Sequence, residues 1–189
     1  VAASGWLFDD GRRVLVPLSA LHGSSFAWVR NGKGALSRGT LARRDSRLGL
    51  AELRLDKPLP LPVPATVAPR DPFAGAIAYA IGYVEGSPNP AWPLLNAGFF
   101  GAAVEGGRYQ RLDFDDPSLH GGPVFDIAGR LAGFSPGGEG SAGFVPVSRL
   151  GAFVDGFPVA TDTANGATTP ADEIYERALS NTLQVIAPR

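Results

Sequence analysis

The sequence contains no cysteine. Disulfides, thiolate nucleophiles and cysteine-based metal sites are excluded together, while no compartment is selected. It contains no methionine either. The expectation is therefore a chain that does not begin at its own start codon, a processed or excised piece. Histidine is scarce, with only His22 and His120, so imidazole chemistry has two places to occur. Charge of one sign is lacking, since the formal net charge is −1. No strong field favours nucleic acid or an anionic membrane. The one basic cluster, Arg43, Arg44 and Arg47, is small enough to read as a solvated surface. No apolar run approaches the roughly 20 residues of a membrane span, and no stretch reads as a signal peptide. No cofactor is expected.

What is present is turn-forming residues. Glycine (25) and proline (17) interrupt the many short apolar runs of a chain of 189 residues. Runs broken every 8 to 12 residues or so describe an all-β protein, and the length suffices for one domain or two small packed barrels. Strands are expected at Ala3–Phe8 and Arg13–Val16 around an Asp9-Asp10-Gly11-Arg12 turn, then at Phe26–Val29, Ala35–Ala42 and Leu48–Leu55. The stretch from Lys57 to Pro69 holds five prolines. Proline gives no N–H to a ladder, so this is an extended crossing outside any sheet. Strands resume at Ala76–Tyr83, Leu94–Gly101, Tyr109–Phe114, Pro123–Phe125, Arg130–Phe134 and Ala142–Val145, with a short helix near 148–154. Two groups of roughly six strands on either side of a crossing suggest two β-barrels.

The expected divisions are a first barrel over about 1–58, a crossing at 57–70, a second barrel over about 71–158 and a linker at 159–168. Residues 169–189 change character. Thr169 is placed to N-cap a helix over about 170–180, with Pro170 at its first position and Asp172 and Glu173 in its first turn. Ile174, Tyr175, Ala178 and Leu179 would form its apolar face. Thr182–Ala187 alternates like a strand.

One stretch invites chemistry. Asp116-Pro117-Ser118-Leu119-His120-Gly121-Gly122-Pro123 lies between two strand-like runs. Adjacent glycines beside a proline fix an unusual backbone shape, and such shapes are often kept for catalysis.

These residues resemble the trypsin-like serine proteases, particularly the bacterial HtrA/Deg branch. The family's nucleophile loop reads Asn-Pro-Gly-Asn-Ser-Gly-Gly-Pro-Leu, against Asp116-Pro117-Ser118-Leu119-His120-Gly121-Gly122-Pro123-Val124 here. Ser4-Gly5-Trp6-Leu7-Phe8 resembles the hairpin leading to the family's histidine, and Leu50–Asp56 its Asp-Leu-Ala-Leu-Leu-Arg-Leu strand. Ala80–Tyr83 and Gly143–Val147 resemble the opening and the end of its second barrel. The resemblance implies two packed six-stranded barrels. Residues 171–186 resemble the segment that begins such domains, which implies a permuted order or the start of a second such domain; in either case Leu183–Ala187 is expected to pair into the first barrel, in this molecule or a swapped neighbour.

The same resemblance locates a catalytic triad that is replaced throughout. The histidine position is Ser19, the aspartate position Gly49 and the serine position His120. A serine hydroxyl attacks only when an imidazole takes its proton and an acid orients that imidazole. The expectation is a pseudoprotease with no catalytic residue. Ser118, Leu119, His120, Gly121 and Gly122 would remain as a remnant of the oxyanion loop. A binding or scaffolding role toward a protein or peptide follows, in the periplasmic or envelope setting where such relatives work. Two alternatives stay open. One is a metal site built on His22 and His120. The other is a hydrolase with a rearranged site, using Asp45 or Ser118 as a displaced triad member.

Overall fold

The computed structural model describes residues 3–64, 66–84, 86, 92–104, 106, 108–114, 121–137, 143–158 and 167–187. Its strands are β1 (Ala3–Phe8), β2 (Arg13–Pro17), β3 (Phe26–Asn31), β4 (Leu36–Asp45), β5 (Leu50–Leu55) and β6 (Ile77–Gly82). They continue with β7 (Leu94–Val104), β8 (Tyr109–Phe114), β9 (Gly122–Phe125), β10 (Leu131–Ser135), β11 (Gly143–Pro146) and β12 (Thr182–Ile186). Helices α1 (Val147–Phe153) and α2 (Ala171–Asn181) follow the second strand group, and a 3₁₀ turn, Ser19–Leu21, follows β2.

The strands close into two antiparallel barrels, ordered β1-β12-β3-β4-β5-β2 and β10-β11-β8-β7-β6-β9. Side chains alternate across a strand, so each barrel fills with every second residue. Leu7, Val14, Val16, Ala27, Val29, Leu53, Leu183 and Val185 pack the first interior. Ala78, Phe100, Val124, Ala132 and Phe144 pack the second. A third core lies between the barrels and under both helices, where Trp6, Phe8, Leu15, Ile81, Phe125, Phe134, Leu150, Phe153 and Ile174 meet. β1 is consequently buried on both faces along its whole length. Trp6 and Phe8 stack there with ring centroids 5.3 Å apart. Beside them Arg13 lies over the Phe8 ring and donates to Glu52 Oε1 at 2.8 Å. The pairing satisfies a carboxylate that is almost fully buried.

Several sequence expectations shift. β5 begins at Leu50 rather than Leu48. Asp45 Oδ1 accepts the N–H groups of Arg47 at 2.7 Å and Leu48 at 3.1 Å and closes a turn over those residues. β7 runs on to Val104, because its extra residues continue to pair with β8 beyond an irregularity after Phe100. The proline-rich crossing is not wholly outside the ladder. Thr66 O accepts from Leu131, Ala68 donates to Leu131 O, and Val67 bridges in parallel to Leu131. Those residues fall in the crossing's longest stretch without a proline, between Pro64 and Pro69.

At the far end, Thr169 does not cap α2. The cap position falls on Pro170 with no side-chain hydrogen bond, and the Thr169 hydroxyl donates instead to Ala128 O at 3.2 Å. The buried residues of α2 are Ile174, Ala178 and Ser180, with Tyr175 and Leu179 half-buried. The expected linker at 159–168 falls mostly outside the described residues.

Candidate functional site

β2 and β5 deliver two of the three expected positions to one place. The strands pair with Pro17 opposite Leu50. Just beyond that pair, Leu18 N–H donates to Gly49 O at 2.8 Å. Ser19, which opens the 3₁₀ turn, is thereby set beside Gly49. Gly121, which follows the expected oxyanion-loop residues in sequence, meets the same seam from the second barrel. A Cβ on Gly121 would stand 2.5 Å from Pro17 Cγ and 3.3 Å from Ser135 O, and Gly121 takes a left-handed φ of +77°. Only glycine meets both conditions. Gly122 beside it is buried where β9 begins. Asp116 to His120, including Ser118 and Leu119 of the expected oxyanion remnant, lie outside the described residues.

Neither of the two positions brought together here carries an imidazole or a carboxylate. Ser19 is exposed and offers a hydroxyl with no useful basicity near neutral pH. Gly49 has no side chain and a φ of +66°. A Cβ there would meet Pro136 Cβ at 3.1 Å. A carboxylate at this position would need left-handed backbone and would press on the opposite barrel. The Asp45 carboxylate is engaged by the turn it closes. His22 caps the 3₁₀ turn with a left-handed φ of 47° and is exposed. Among the described residues no three His, Asp or Glu side chains gather as metal ligands.

The seam opens into a cleft of about 1320 Å³. Leu18, Ser19, His22 and Gly49 line it from the first barrel. Tyr109, Arg111, Leu112 and Asp113 line it from β8, and Gly101, Ala102 and Val104 from β7. Arg111 and Asp113 were not singled out from sequence. Their spacing of two on a strand is the signal that would have placed them on one wall.

Polar struts tie the first barrel to the second half of the chain. The Tyr109 hydroxyl donates to Arg47 O at 2.7 Å. Arg43 donates to Phe153 O at 2.6 Å and also pairs with the Asp155 carboxylate. Arg13 donates to Asp155 O at 2.7 Å. The Arg43 guanidinium, hydrogen-bonded to Asp155, holds that carboxyl below the usual carboxylate range. The arginine cluster expected to be solvated surface is in part a barrel-to-barrel joint. Deeper in the seam Ser4 Oγ accepts the Tyr83 N–H at 2.7 Å, and burial raises the Tyr83 hydroxyl well above the ordinary phenol range.

Two closed barrels with this seam define the class of trypsin-like peptidase domains. The family model for the trypsin-like peptidase domain matches residues 3–134, and the chain belongs to that family. Among solved structures, the crystal structure of Deg5 superposes with a TM-score of 0.60 at 17% sequence identity, covering 77% of this chain and 78% of that one. This likeness supports the fold alone. No curated protein sequence matches the chain. Among the described residues no helix is long and apolar enough to cross a membrane.

Proposed function

We propose that this is a catalytically inactive trypsin-like domain that uses its inter-barrel cleft to bind an extended segment of a protein partner. The observation that carries this reading is Gly49. It brings no carboxylate to the acid's place, and its left-handed φ of +66° and the 3.1 Å approach that a Cβ would make to Pro136 disfavour one there. Ser19 supplies no imidazole, and the residue at the nucleophile position is His120. What remains is a groove with apolar and glycine walls and a few polar groups, Ser19, Ser46, Arg111 and Asp113. Glycine walls leave backbone groups open to a peptide laid along them as a strand. An extracytoplasmic setting in the bacterial periplasm or envelope belongs to the same proposal and rests on the HtrA resemblance.

The test has a catalytic arm and a binding arm. The purified protein is expected to leave casein intact and to take no label from a serine-directed fluorophosphonate. Turnover that His120→Ala abolishes would overturn the claim of inactivity. In the binding arm, peptides selected from a random display library are measured against wild type and Ala102→Trp. Ala102 is exposed on β7 and lines the cleft, so the indole fills the groove without entering a core. Affinity should fall at least about tenfold, or about 1.4 kcal/mol. Unchanged affinity would place the peptides elsewhere and refute the cleft as the binding site.

A further inference from the structure

Residues 167–187 meet the rest of the molecule as a separate body would. Thr169 N–H donates to Ile127 O at 2.8 Å and its hydroxyl to Ala128 O. Ile174 lies against Gly129, and the Tyr175 hydroxyl donates to Pro93 O at 2.7 Å. Those contacts engage the second-barrel half of the chain. On the first barrel, Gly32 N–H donates to Leu179 O at 3.0 Å. β12 then pairs antiparallel on both edges, with Ala3–Trp6 of β1 and with Trp28–Asn31 of β3. Leu183 and Val185 fill the barrel interior. The receiving surface is a slot with a main-chain ladder on each side, an apolar floor and a rest for a helix. The covalent connection to this segment runs through Val159–Gly166, Val-Ala-Thr-Asp-Thr-Ala-Asn-Gly.

We propose that the slot between β1 and β3 is an exchangeable docking site whose partner is the α2–β12 segment of a second copy of this chain. Every copy carries the same segment, so each hydrogen bond and apolar contact can be made between molecules as well as within one. Closed monomer and swapped oligomer differ only in the connection and in the entropy of association. An empty slot would expose two unpaired strand edges and an open barrel interior. It is therefore filled by the chain's own segment or by a neighbour's.

The experiment uses the full chain with a protease site placed within residues 159–166 and cut after folding. The cut protein is mixed with excess fluorescent peptide of the sequence 167–187 and run on gel filtration. The released C-terminal fragment should stay with the barrels until the labelled peptide replaces it. A peptide carrying Leu183→Lys and Val185→Lys should enter at least tenfold less. A label that remains with free peptide, or barrels that unfold on cutting, would overturn the proposal. A second variant lacking residues 160–165, which shortens the connection, should run as a dimer by light scattering, and a folded monomer would overturn exchange between copies. If that deletion does not fold, the labelled peptide still decides.

Discussion

The two barrels are closed by different means. The second takes its six strands, β6 to β11, from one unbroken part of the sequence, whereas the first has β1 to β5 and borrows β12 from the far end of the chain. Local closure needs only hairpins and short connections. Closure by a distant strand must bring its ends together over most of the chain before any contact rewards it. Among the described residues the first interior is lined by aliphatic side chains, while the second holds the aromatic pair Phe100 and Phe144. Connectivity singles out the borrowed strand, and the largest perturbation should come from it. Leu183→Lys puts an ammonium into the first barrel's interior, where Leu183 is fully buried. The cost should exceed about 4 kcal/mol in urea denaturation. Amide exchange should accelerate in β1 to β5 before it does in β6 to β11. Simultaneous loss in both would break the comparison and make the shared core one cooperative unit.

The second barrel gives the converse test. Phe144 is fully buried and packs against Phe100 with centroids 5.3 Å apart. Phe144→Ala should cost about 3–5 kcal/mol, somewhat less than the charge in the first barrel. Exchange should now quicken first in β6 to β11. Protection of β1 to β5 should persist, because their interior cluster, Leu7, Val14, Val29, Leu53 and Val185, contains no residue of β6 to β11.

The same contrast marks what the sequence could tell. Alternating apolar residues and turn glycines revealed nearly every strand, because period and punctuation are local properties. The Gly121-Gly122-Pro123 pattern, with the hairpin at Ser4–Phe8, named the fold, and the family match covers both. The conformation of Gly49 was not legible. Its φ and the approach of Pro136 depend on how the second barrel faces the first. Thr169 has the right identity for a cap, but a carbonyl at Ala128, distant in sequence, took its hydroxyl. Arg43 looked solvated because its partners, Phe153 O and Asp155, lie beyond the whole second barrel in sequence. Tyr109 read as a strand residue, and nothing local announced that its hydroxyl spans the cleft to Arg47.

How firmly the unlike barrels are held together is tested most gently at Asp155. Its carboxylate follows α1 at the end of the second-barrel half and pairs with Arg43 of β4. Arg43 lowers its pKa from the ordinary 3.8. A depressed folded pKa means that the charged form is favoured by folding. Its contribution is present above the unfolded value and is lost as pH falls through the folded one. The pair is therefore fully formed at neutral pH and releases only below about pH 4. Both groups are solvent-exposed, so the gain is small and screened by salt. Asp155→Asn should lower the melting temperature by no more than about 2 °C at pH 7 and low salt. The gap should narrow with added salt and close as pH falls through the lowered folded pKa. Arg13 still donates to the backbone carbonyl of residue 155, so the joint should weaken without opening. A gap that neither salt nor acid narrowed would show that the residue acts through packing rather than charge, and the Arg43 joint would have to be reassigned to its bond with Phe153 O alone.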